Sequence, residues 1–253
     1  ENGVAKGAPE AWLDMRRFFS DGIGAYLVRL ADVVRENAPG IPFSGNLYSG
    51  DAKLGFDLLR WFPDLGEYNP AMGYYPMYDV TDDLQYRFLA ACREYVNESD
   101  RPMWFLEFQT GRDGIFCGPE GFLHMQMMLG LLNRGQLFLG WTWRSMYGGE
   151  EQYHHGILGH DGLPTPNYTG LARAAADMKK LSAYGFPYLP VPDTAVAFSQ
   201  ESWWVQQCQR GQFRQDYLAG ITEVSRAFSL LQKEYNMVNL RHLTGKYRLI
   251  VVP

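Results

Sequence analysis

The sequence predicts a parallel α/β fold: half of an eight-stranded barrel, followed by the opening of a second, smaller α/β unit. Two observations predict it. Through residues 41–184 short apolar runs alternate with amphipathic helical stretches, and parallel strands require such crossovers. Residues 185–193 then hold Pro187, Pro190 and Pro192, a linker-like composition, before a further strand, helix and strand. With 46% hydrophobic residues in 253, the chain has ample material for a core.

Each element has its own signal. Over residues 8–37, Trp12, Met15, Phe19, Ile23, Leu27, Leu30 and Val34 recur at helical spacing, Pro9 stands near the start, and Pro39-Gly40 ends the run. Residues 41–46 read as a short buried strand and residues 51–61 as a helix. A second strand is expected near residues 65–68, and a helix over 79–98 capped by Thr81 or Asp79. Residues 102–107 form an apolar run that closes on Glu107 and breaks at Gly111. After Gly118-Pro119 comes an apolar helix to about residue 133, then a strand over 136–143 and a helix over 166–184. Four strand and helix units make half a barrel, which sets one boundary at residue 185. Beyond the prolines, strands are expected at 195–199, 237–240 and 247–252, with a helix over 217–234. These read as the truncated start of a second unit over 186–253.

Composition narrows the function. The net charge is −5 with both signs interspersed, and no Lys/Arg stripe offers a footprint for nucleic acid. No apolar run reaches the length of a membrane span. Cys92, Cys117 and Cys208 are odd in number and lack paired metal-type spacing, so neither a disulfide framework nor a metal site is expected. Aromatic residues make up 15% of the chain; most serve the core, and some suit stacking on the C–H faces of sugars. The chain opens at Glu1 without a starting Met and reads as beginning inside a longer protein.

The chemistry concentrates after two strands. A carboxylate at the tip of a barrel strand, rather than on a solvated helix, is placed for catalysis, and Glu107 suits attack on an anomeric carbon. The same residue could instead cap a helix or meet Arg144 in an ion pair. Trp141 and Trp143 alternate along the later strand, so one faces the interior and the other the helix layer. Glu151 and His154 follow in a glycine-rich loop, where a carboxylate and an imidazole can accept from and donate to sugar hydroxyls. Glu-x-x-His also suits a metal, but no third ligand is spaced to complete the set. Asn46 and Tyr68, at the ends of the two earlier strands, are further candidates for the sugar subsite.

The array Glu107-x-Gln109-x-Gly111, Trp141-x-Trp143-Arg144 and Glu151-Gln152-x-His154 resembles glycoside hydrolase family 42, the retaining β-galactosidases. The resemblance covers most of the chain. It implies the C-terminal half of a (β/α)8 TIM barrel, strands five to eight over residues 1–185, followed by the start of a flavodoxin-like or amidotransferase-like trimerisation domain. It further implies Glu107 as nucleophile, Trp141, Glu151 and His154 around galactose, Arg144 aligning the acids from behind, a galactoside substrate, no cofactor, and a homotrimeric parent. Two features depart from the family. Ile115 stands where a tryptophan is usual, eight residues beyond the nucleophile, which leaves open a related sugar such as an α-L-arabinopyranoside. No Asn-Glu motif follows a fourth strand, so the acid/base is expected outside these residues and the chain by itself is expected to be inactive. A non-catalytic carbohydrate-binding or assembly protein on the same barrel is the alternative from another class.

Overall fold

The computed structural model describes residues 8–47, 55–66, 68–69, 71–72, 86, 89–90, 92–93, 101–110, 121–154, 156–185, 191–208, 216–243 and 245–253. Helix α1, Pro9–Asn37, opens with proline in its first turn. It buries Trp12, Ser20, Gly24, Leu27 and Ala31, a stripe at helical spacing. Gly24 is required there: a Cβ would lie 2.6 Å from Trp61 Cδ1, so the helix closes on the indole only without a side chain. The short helix α2, Leu58–Trp61, is capped by Asp57, which accepts from the Arg60 amide.

Strands β1 (Ala71–Met72), β2 (Met103–Gln109) and β3 (Gly135–Trp141) form a parallel sheet in the order β1-β2-β3. Helix α3, Phe122–Leu132, crosses from β2 to β3, and α4, Pro166–Ser182, follows with Thr165 as its cap. The apolar core lies between the sheet and the helices: Met103, Phe105 and Phe108 pack with Leu123 and Met127 of α3 and Ala174 of α4. Gly130 and Gly135 let α3 approach the sheet, since a Cβ at either would fall within 3 Å of the Phe105 ring.

A second parallel sheet has the order β5-β4-β6, from β4 (Thr194–Ala197), β5 (Asn236–Val238) and β6 (Leu249–Val251). Helices α5, Gln200–Cys208, and α6, Tyr217–Leu230, follow β4. Their core joins Val196, Trp203, Trp204, Ile221 and Met237 to Trp12 of α1 and Leu59 of α2. Polar contacts close the junction. Glu201 of α5 takes Arg17 of α1 on both carboxylate oxygens, at 2.8 and 3.1 Å, and Arg241 at 2.9 Å. Those partners, Arg17 foremost, hold its carboxyl below the usual range. Arg93 pairs with Glu234 and donates to the Tyr235 carbonyl. Beside Glu201 lies a cavity of about 420 Å³ reached by Asp57, Arg60, Gln200 and Arg241.

Several expectations move. Residues 41–46 belong to no strand, and where a strand was expected at 65–68 Leu65 and Gly66 lie in a turn and Tyr68 in no strand, the strand itself lying at Ala71–Met72. The chain between Trp61 and Gly66 keeps turning, with Leu65 N bonded to the Trp61 carbonyl and Gly66 at φ +58°. Leu65 and Tyr68 are buried, as strand residues would have been, but in no strand. Helix α5 was not expected. Most of the predicted helix over 79–98 lies outside the described residues.

Candidate active site

The local course of β2 decides where Glu107 points. Phe105 pairs with Phe138 and Phe108 with Gly140, so β2 holds one more residue than β3 over that interval. This bulge puts Phe105 and Phe108, three apart, on the same helix-facing side, both against the Phe138 ring with centroids at 4.8 and 5.4 Å. A bulge re-aims the side chains around it. Glu107 and Gln109 therefore leave the buried side and turn to the other face, half-exposed. There Asn46 Nδ2 donates to Glu107 Oε2 at 2.7 Å.

Trp141, three residues beyond Phe138 on β3, turns to that face as well. It is in register with Gln109, and the Thr110 amide donates to its carbonyl at 3.0 Å. Trp141 Nε1 donates to Glu151 Oε2 at 3.0 Å, and His154 Nδ1 lies 3.7 Å from the same oxygen. The structure thus makes two linked groups, Asn46 with Glu107 and Trp141 with Glu151 and His154, at the carboxyl ends of neighbouring strands. Parallel barrels carry their chemistry at that end.

The loop after β3 is braced from within. Ile157 and Leu158 amides return to the Thr142 and Trp143 carbonyls at 2.9 and 2.8 Å, and the Ser145 hydroxyl takes the Gly156 amide at 3.0 Å. A Cβ on Gly156 would lie 2.6 Å from Ser145 N, so this return requires glycine. His160 Nε2 sits 2.8 Å from the carbonyl oxygens of both Met146 and Gln152 and staples the segment that carries Glu151.

Two expected roles change. Arg144, expected to align the acids, makes its contacts elsewhere: its guanidinium donates to the His160 carbonyl at 2.8 Å and lies over the Tyr147 ring at 4.6 Å, which braces the loop that carries Glu151. Tyr68 does not face a sugar. It is 3% exposed in the core, stacked near Phe62 and beside Phe43, and its hydroxyl is occupied by the Gly45 backbone. Burial pushes that hydroxyl up to about 12, so it stays a donor. Trp143 is exposed beyond the end of β3, so the expected alternation with Trp141 does not extend to it. Gly111 and Ile115 lie outside the described residues. Among the described residues no three His, Cys, Asp or Glu side chains cluster as a metal ion would need, and no helix is long and apolar enough to cross a membrane.

The model of the glycoside hydrolase family 42 β-galactosidases matches residues 2–181. The chain belongs to that family. It is 21% identical over 260 residues to β-galactosidase BgaA of Clostridium cellulovorans, covering 97% of this chain and 38% of that protein. A β-galactosidase of an Arthrobacter species is 23% identical over 203 residues, covering 79% and 29%. Among solved structures, the β-galactosidase of Bacillus circulans superposes with a TM-score of 0.81 at 18% identity, covering 95% of this chain and 36% of its own. That of Halorubrum lacusprofundi gives 0.77 at 23%, covering 95% and 38%. The chain spans less than two fifths of these relatives. At such identities the likeness shows the fold, a TIM barrel, to which the parallel sheet and its helices contribute.

Proposed function

We propose that these residues supply the nucleophile side of a retaining β-galactosidase site. Glu107 attacks the anomeric carbon, the glycosidic C–O bond breaks, and a glycosyl-enzyme forms. Water then releases the sugar. A second carboxyl group, from outside residues 1–253, protonates the leaving oxygen and later deprotonates the water. The observation that carries the reading is the Asn46 to Glu107 hydrogen bond beside the Trp141 to Glu151 pair, at one end of one parallel sheet. In this reading Trp141 is the apolar wall of the sugar subsite, and Glu151 and His154 hold its hydroxyls. Residues 1–185 are strands five to eight of the barrel. Residues 186–253 begin a flavodoxin-like or amidotransferase-like unit through which the whole protein forms a trimer, and the order β5-β4-β6, one crossover to each side of β4, supports that assignment.

The test is covalent labelling of the whole protein with an activated 2-deoxy-2-fluoro-β-galactoside, read as the mass of the modified peptide. The label is expected on Glu107, and Glu107→Gln is expected to lower kcat on the order of 10⁴-fold. A label elsewhere, or activity retained in that variant, refutes the assignment. A panel of aryl glycosides separates galactose from an α-L-arabinopyranoside, and sugar binding without turnover would mark a non-catalytic protein. Residues 1–253 alone are expected to be inactive, since one carboxylate cannot both attack and protonate.

A further inference from the structure

Asn46 holds Glu107 from the end of a segment that belongs to no strand, with an isolated bridge at Leu47 on one side and a set of hydrogen bonds on the other. Three contacts make up that set. The Asn69 amide donates to the Phe43 carbonyl at 3.0 Å, and the Ser44 hydroxyl donates to the Asn69 carbonyl at 2.8 Å. The third is the Tyr68 hydroxyl, which accepts from the Gly45 amide and donates to the Gly45 carbonyl, each at 3.1 Å. A phenol has one proton and free lone pairs, so it can make both bonds at once. The Gly45 carbonyl belongs to the peptide that joins Gly45 to Asn46. Gripping it sets the plane from which the Asn46 side chain leaves.

The ring cannot easily follow a drifting backbone. Phe43 and Phe62 lie against it at 5.5 and 6.2 Å between centroids, and Arg101 donates to the Tyr68 carbonyl at 3.0 Å. We propose that Tyr68 is a positioning residue for glycoside cleavage: its hydroxyl, by gripping both backbone groups of Gly45, aims the Asn46 amide that holds the attacking carboxylate of Glu107. The inference rests on Glu107 being the nucleophile, as proposed above.

The test is a double-mutant cycle on kcat of the whole protein with an aryl β-galactoside. Tyr68→Phe keeps the ring and deletes both bonds. It is expected to lower kcat between about tenfold and a hundredfold, as small misplacements of a reacting group do. KM should change less than about threefold, because the loss falls on the attacking group. Asn46→Ala is expected to lower kcat as well. Added to Asn46→Ala, Tyr68→Phe should lower it less than about twofold further, because the hydroxyl acts through the amide already removed. Tyr235→Phe, which deletes a buried phenol's bond to Ser225 in the core of the second sheet, should leave kcat within about twofold, a change under about 0.4 kcal/mol. If Tyr68→Phe does not fold, 4-fluorophenylalanine at position 68, which fills the place of the hydroxyl but cannot donate, replaces it in the cycle with the same expectation. Effects of Tyr68→Phe and Asn46→Ala that multiply, or a Tyr68→Phe variant with unchanged kcat, overturn the inference while the nucleophile stands. An active Glu107→Gln variant instead overturns the functional reading beneath it.

Discussion

Replacing Asp57 by Asn should remove a pH dependence that burial builds into the junction of the two sheets. The Asp57 carboxyl is 7% exposed, and loss of water raises it from 3.8 to about 6, against the Arg60 amide bond and the nearby guanidiniums of Arg60 and Arg241. A raised carboxyl pKa means that the folded chain holds its proton where the unfolded chain has lost it. The contribution of Asp57 to stability is therefore greatest in acid and falls as pH rises from about 4 to about 6, then stays low. Two pH units correspond to about 3 kcal/mol in full, of which about 2 kcal/mol falls between pH 4.5 and 7.5. Asn retains an oxygen to cap α2 but carries no charge, and burying its unused N–H donors costs about 1–2 kcal/mol at every pH. The variant is thus expected to be less stable than the natural chain at pH 4.5 and equal or more stable at pH 7.5. Urea unfolding followed by tryptophan fluorescence at both pH values measures the difference, and taking it against the natural chain cancels the other titrating groups. A gap between the two proteins that does not move with pH, or that moves the opposite way, refutes the argument.

Two further substitutions probe the site. Trp141→Phe keeps an aromatic wall but loses the bond to Glu151, and KM of the whole protein for a galactoside is expected to rise about tenfold, the worth of one hydrogen bond to a charged group. An unchanged KM would place Glu151 outside the sugar subsite. Gly156→Ala sets a methyl against Ser145 N and the Arg144 backbone and should destabilise by about 2 kcal/mol or more, read as a lower urea midpoint; a variant as stable as the natural chain would show that the loop shifts freely.

Strands β2 and β3 were legible because each is an apolar run of β-formers closed by a break, and the position of Glu107 near the end of one could be read directly. What pattern could not supply is its direction. Phe105 and Phe108 are three apart, a helical interval, and only the bulge against Phe138 and Gly140 puts both on one side. Leu65 shows a different limit. A strand was expected around it, but an apolar residue reports that it is inside and not whether the backbone is extended or turning. Helix α5 was hidden by Gln200, Glu201, Gln206 and Gln207, which dilute the apolar spacing of Trp203 and Trp204. Tyr68 was assigned to the sugar and Arg144 to the alignment of the acids, yet each is taken by a backbone carbonyl that only the folded chain brings near. The pairing of Arg17 with Glu201 spans 184 residues and leaves no trace in local sequence.

Helix α2 gives this architecture its thermodynamic character. Leu58 and Trp61 belong to the core beneath the first sheet, while Leu59, between them, belongs to the core of the second. One helical turn is thus shared by two hydrophobic interiors, and neither can lose its order without withdrawing a side chain from the other. Regions that open separately are those with few buried contacts between them. Here the partition drawn at the proline-rich segment is not a line of weakness, and heating should melt both sheets in a single cooperative step.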